Sequence, residues 1–127
     1  MTIDTHTHLY DADFRADFDE VVLRAKGAGV CKCIMPAIDI STFDDMCAAE
    51  RALEGFAYAA IGLHPTSVKE NWREELDFVK GEFARRDYCA VGEIGRDGYW
   101  SRDFIEEQQT VFYEQMVMAA SRDIPVI

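Results

Sequence analysis

The chain has 127 residues, 49% hydrophobic and 29% charged, the composition of one globular domain able to bury a core. Its net charge of −11, from 24 acidic and 13 basic residues, argues against a general nucleic-acid binder, but not against a protein that grips one phosphate through a metal. No apolar run approaches the ~20 residues of a bilayer span, and the N-terminus lacks a basic-then-apolar secretory pattern, so a cytoplasmic location without a membrane partner is expected.

Residues 1–6 predict a first strand. A helix is predicted over 14–28, with Phe14, Phe18, Val21, Val22 and Ala25 on one face and Gly27 or Gly29 closing it. Residues 30–37 form a short apolar run between Gly29 and Pro36, a buried strand. Cys31 and Cys33 lie within it as small buried strand residues; with Cys47 and Cys89 they form no C-x-x-C pair, so neither a thiol metal site nor a disulfide is expected. Ser41 is the predicted N-cap of a helix running to Leu53 and ended by Gly55.

The next apolar strand, 56–63, finishes in Gly62-Leu63-His64-Pro65. A helix over 72–85 carries Trp72, Leu76, Val79 and Phe83 at helical spacing. Residues 88–95 read as a fourth apolar strand holding one carboxylate, Glu93. A long helix follows over 104–121 with Val111, Phe112, Gln115, Met116 and Ala119 inward, and 124–127 begins a fifth strand. Short apolar strands alternating with amphipathic helices predict a parallel sheet with right-handed crossovers. A complete (β/α)₈ barrel needs ~250 residues. Residues 1–127 therefore read as a single partial TIM-type barrel domain, its N-terminal half, with about four βα units and the start of strand five. A small doubly wound sheet is the second topology.

In parallel α/β folds chemistry gathers at the carboxyl ends of strands. All 3 histidines fall at such ends, His6 and His8 after the first strand and His64 after the third, and Glu93 ends the fourth. Alternation places His6 and His8 on one side of the strand. Two imidazoles and a carboxylate form a mixed nitrogen and oxygen set for a divalent ion. Glu93 is either a metal ligand, able to bridge two ions, or a buried general base. His64, its backbone restricted by Pro65, either donates to a substrate oxygen or serves structure. Asp4 shares the parity of the two histidines and is expected to support them. Asp97 either orients a ligand or caps its turn. Tyr99 and Trp100 either pack their loop, the favoured reading, or stack on a base; Arg96, Arg102 and Lys69 are either phosphate contacts or solvated charges.

Asp4-Thr5-His6-Thr7-His8-Leu9, Gly62-Leu63-His64-Pro65, Gly92-Glu93-Ile94-Gly95-Arg96-Asp97, and Gln108 with Phe112, Gln115 and Ala119, resemble the TatD-type metal-dependent deoxyribonucleases of the amidohydrolase-like superfamily. The motifs run in the family's order along the whole chain. The resemblance implies a (β/α)₈ barrel and a phosphodiesterase that cuts DNA and trims 3′ ends. It implies one or two divalent ions, magnesium first and zinc or manganese as alternatives. By position, His6 and His8 match metal ligands, Glu93 a ligand bridging two ions, His64 a histidine near the substrate phosphate and Asp97 a supporting acid. Arg96 and Gly98 depart from the family's usual apolar and aromatic residues. The family's Pro-Val-Ile runs into a further metal-binding histidine, and this chain stops at Ile127.

Half a barrel leaves strands one and five as edges with open inner faces, so self-association through those edges is expected. Weak or absent nuclease activity is expected of the 127 residues alone, with DNA 3′ ends as substrate of the full-length protein. The alternatives are a hydrolase of small esters or amides in the same superfamily, and a non-catalytic half-barrel.

Overall fold

Three short strands, β1 (Thr2–Asp4), β2 (Val30–Pro36) and β3 (Ala57–Ala60), lie parallel in the order β1-β2-β3 in the computed structural model, which describes residues 1–127. Parallel neighbours need a crossover, and α1 (Phe18–Gly27) and α2 (Ile40–Ala52) supply the first two. The same sequential order continues through two single parallel bridges, Ile61 to Val91 and Val91 to Val126. α3 (Trp72–Arg85) precedes the first of these partners and α4 (Ile105–Ser121) the second. This is the strand order of the N-terminal half of a (β/α)₈ barrel, and it removes the doubly wound alternative, in which the order reverses.

Register explains why the two sheet faces differ. Cys33 pairs with Ala57 and Met35 with Ala59, and all four are buried in one core with Val22 of α1 and Phe43 and Met46 of α2. On the opposite face Ile3, Lys32, Ile34, Tyr58 and Cys89 line an open hollow of about 270 Å³. The expected open inner face is therefore present, with Ile3 51% exposed, but it is not wholly apolar. Lys32 donates from Nζ to the Tyr58 hydroxyl at 2.6 Å and lies over its ring, giving this face a polar covering.

Several boundaries differ from expectation for local reasons. The first α-helix starts at Phe18, because Ala12–Phe14 forms a separate 3₁₀ turn that Asp11 caps by accepting from the Asp13 N–H. Ser41 does not cap α2: it lies inside the helix, and its hydroxyl donates to Asp39 at 2.6 Å. The fourth apolar run forms a bridge at Val91 rather than an extended strand, and the fifth does the same at Val126. On α4 the inward row is Gln108, Val111, Gln115 and Ala119, narrower than predicted; Met116 is exposed and Phe112 only half-buried. All four cysteines are free, with Cys33 buried and Cys31 half-buried. No helix is long and apolar enough to cross a membrane.

Gln115 joins α4 to the sheet. Its side chain is fully buried, Oε1 accepting from the Leu63 N–H at 2.7 Å and Nε2 donating to the Leu63 carbonyl at 3.3 Å. Leu63 lies beyond the end of β3, where its peptide groups have left the ladder, so the amide replaces a strand partner. Gln115→Leu keeps the volume and strands both backbone groups. It is expected to lower stability by about 2–3 kcal/mol, read as a reduced urea midpoint at unchanged m.

Candidate metal centre

β1 ends at Asp4, so His6 and His8 lie in the turn beyond it rather than on the strand itself. Two hydrogen bonds hold that turn: the Asp4 carboxylate accepts from the His6 N–H at 3.1 Å, and the Thr7 N–H donates to the Ile34 carbonyl at 3.1 Å. Asp4 thus contacts the histidine turn through the His6 backbone. His64 follows β3 and is anchored by its own N–H, which donates to the Ile38 carbonyl at 2.9 Å.

Glu93 is brought in by a close approach of two backbones. A Cβ on Gly62 would lie 2.6 Å from the Gly92 carbonyl carbon and 2.7 Å from its oxygen, so only glycine lets the chain pass. Crossing there, Gly92 accepts from the Ala37 N–H at 2.9 Å and the Glu93 N–H donates to the Ala37 carbonyl at 3.0 Å. The segment thereby reaches past β3 to the end of β2, and Glu93 arrives beside the turn that carries His6 and His8.

The four side chains meet around one carboxylate. Glu93 Oε2 lies 3.0 Å from His6 Nε2 and 3.5 Å from His8 Nε2, while Oε1 lies 3.0 Å from His64 Nε2. A ligand atom from each of His6, His8 and Glu93 falls within 4.8 Å of the others. Two imidazole nitrogens and a carboxylate oxygen converging in this way fit a divalent ion. Burial lowers the pKa of His8, the Glu93 charge opposes this, and the His6 and His64 rings add to the lowering. The His8 ring is neutral at pH 7, as a ligand must be.

His64 differs from the other two. Its Nδ1 accepts from the Thr66 backbone N–H at 3.0 Å, and a peptide N–H can only donate. The proton of the neutral ring therefore sits on Nε2, which donates to Glu93 Oε1. His64 is built as a hydrogen-bond donor, and the convergent ligand group omits it. Thr66 was not singled out from the sequence; the signal lay in His64-Pro65, because proline at the first position of a 3₁₀ turn makes the preceding residue its cap.

Asp97 does not join this group. Its Oδ1 accepts from the Tyr99 N–H at 2.7 Å and the Trp100 N–H at 3.4 Å, and Gln108 clamps its backbone from both sides at 2.7 and 3.0 Å. Its carboxylate caps the turn. That turn lifts Tyr99 and Trp100 into solvent, 84% and 78% exposed, which overturns the packing role favoured for them. Both line an open cleft of about 630 Å³ together with His64, Glu93 and Arg96. Arg96, Arg102 and Lys69 are exposed.

Residues 3–127 match the family model described as TatD related DNase. The chain belongs to this family. It is 33% identical over 132 residues to the uncharacterized metal-dependent hydrolase YabD of Bacillus subtilis (strain 168), covering 100% of this chain and 49% of that protein. It is 28% identical over 126 residues to the 3'-5' ssDNA/RNA exonuclease TatD of Dickeya dadantii (strain 3937), covering 97% of this chain and 47% of that one. The crystal structure of YjjV, a TatD homolog from Escherichia coli K12, superposes with a TM-score of 0.83 at 35% identity, over 98% of this chain and 48% of that one. The chain spans about half the length of the curated relatives it matches, and its fold is the N-terminal half of the TatD barrel.

Gly62→Ala tests the crossing on which Glu93 depends. The variant is expected to lose about 1–3 kcal/mol in urea unfolding. In NMR spectra the contacts between Glu93 and the His6 ring are expected to weaken, whereas Gly81→Ala, at a site where a Cβ meets nothing within 4 Å, is expected to preserve them.

Proposed function

We propose that the protein is a divalent-metal-dependent phosphodiesterase acting on single-stranded nucleic acid from its 3′ end, with His6, His8 and Glu93 as metal ligands and His64 as the group that meets the phosphate. The observation that carries this reading is the convergence of three ligand atoms within 4.8 Å beside a histidine held as a donor. An ion bound there supplies Lewis acidity toward a phosphoryl oxygen and lowers the pKa of a water molecule. Glu93 is assigned to the ion rather than to proton abstraction because one of its oxygens faces both imidazoles. His64, with its proton on Nε2, offers that proton to a phosphate oxygen entering beside Glu93. Asp4 and Asp97 act as backbone supports, one for the histidine turn and one for the aromatic loop.

The substrate class rests on that loop. Tyr99 and Trp100 stand edge to face with ring centroids 4.9 Å apart, exposed on the rim of the cleft that holds Glu93 and His64. Large aromatic faces are kept in water at a cost, and a nucleobase is a ligand that recovers it by stacking. Arg96 on the same rim supplies positive charge for a phosphate. The net charge of −11 favours the second reading, a small uncharged ester or amide as substrate.

Calorimetric titration tests the metal assignment directly. One site per chain is expected, with zinc bound more tightly than manganese and magnesium weakest, as the two nitrogen donors dictate. Glu93→Gln is expected to weaken binding by about 100-fold; unchanged affinity overturns the assignment. Three groups that hold an ion do not alone stabilise a departing oxygen, so turnover by the 127-residue chain is expected to be weak and binding is the primary readout.

A second measurement separates the two substrate classes. Oligothymidylate is expected to quench Trp fluorescence and shift the His64 ring resonances, and Trp100→Ala is expected to cost about 1–3 kcal/mol of that binding. If a small carboxylic ester shifts the His64 signals and the oligonucleotide does not, the nuclease reading fails.

A further inference from the structure

Tyr10 is 6% exposed, two residues beyond His8, and its hydroxyl touches two groups at once. The oxygen lies 2.5 Å from the Pro36 carbonyl and 2.8 Å from His8 Nδ1. A carbonyl can only accept, so the single hydroxyl proton of Tyr10 is committed to Pro36. What remains toward His8 is a lone pair, and a lone pair requires a donor. The neutral His8 ring must therefore carry its proton on Nδ1, leaving the Nε2 lone pair facing Glu93 Oε2 at 3.5 Å. Thr66 imposes the opposite tautomer on His64.

We infer that Tyr10 is a positioning residue for the metal centre: by donating to Pro36 it fixes His8 as an Nδ1–H tautomer and so presents Nε2 as a ligand. The inference rests on the reading of His8 as a ligand. The ring packing agrees with it, since the His8 and Tyr10 planes stand at 85° with centroids 5.5 Å apart, fixing the ring's tilt as well as its proton. Pro36 is the last residue of β2, so the chain of bonds ties the His8 lone pair to the rigid end of the sheet. Outer partners of this kind orient a ligating histidine and select its tautomer, and losing one costs about 10–100-fold in metal affinity.

The test has three arms on the 127-residue chain. Long-range ¹H–¹⁵N spectra of the metal-free protein at pH 8, with the ring neutral, are expected to show His8 as the Nδ1–H form and His64 as the Nε2–H form. Tyr10→Phe is expected to convert the His8 signals to a mixture dominated by Nε2–H, the form preferred by an imidazole without a partner, with the fold intact by circular dichroism. Calorimetry is expected to show zinc affinity falling about 10-fold in Tyr10→Phe and unchanged in Tyr58→Phe, a hydroxyl on the opposite face. An Nε2–H His8 in the unsubstituted protein overturns the inference without any variant. If His8→Ala weakens zinc binding and Tyr10→Phe does not, the positioning role fails while the ligand reading stands. If His8→Ala leaves zinc binding unchanged, the ligand reading itself fails.

Discussion

The missing side chain at Gly62 is the constraint on which the site depends. Backbone groups normally stay in their own ladder, because an unpaired N–H or C=O in the interior costs more than most side-chain contacts return. Here the Gly92 N–H still donates to Ile61, just beyond β3, while the Gly92 carbonyl and the Glu93 N–H find partners on Ala37, at the end of β2. The exchange is possible only because nothing projects from Gly62 into their path. Its product is a carboxylate carried across a strand to the histidines of the first turn.

Around that carboxylate the three histidines are sorted by their outer partners rather than by their distance from it. His6 and His64 both stand 3.0 Å from a Glu93 oxygen, yet only His6 belongs to the convergent ligand set. The Thr66 N–H makes His64 a donor. Asp4 and Thr7 fix the turn from which His6 projects. Each of these supports is a backbone group or contacts one, so the chemistry of the centre is set by where the main chain runs. Glu93 itself is half-buried, with a donor on one carboxylate oxygen and two imidazoles at the other.

The large periodicities of the fold were readable from residue order, because they come from local chemistry. Apolar runs bounded by glycine or proline gave β2 and β3, and Leu76, Val79 and Phe83 gave the buried face of α3, with Trp72 half-buried at its start. The convergence of His6, His8 and Glu93 was readable too, since parallel topology sends every strand's carboxyl end to one rim. What was not readable depended on encounters across the fold. Nothing local to Gly62 says that Gly92 will press against it, and nothing in the apolar character of Tyr99 and Trp100 says that an Asp97-capped turn lifts them into water. Met116 shows the same limit: helical spacing placed it inward, but α4 touches the sheet along a stripe only one residue wide, which Gln115 occupies.

The charge of the chain and the proposed substrate are in apparent conflict, and length scale resolves it. At physiological ionic strength exposed charges are screened beyond about 8 Å, so most of the −11 acts weakly on a phosphate seated in the cleft. What a phosphate there would meet is local: Glu93, the His64 ring, and Arg96 on the rim. With His8 neutral, Glu93 is the single negative charge among the three groups that could hold an ion, and a divalent ion there would leave them net positive. The acidic remainder slows encounter with polyanions and disfavours contacts that lack the ion. On the proposed reading, a chain charged in this way would hold nucleic acid poorly in general and better at one point loaded with an ion.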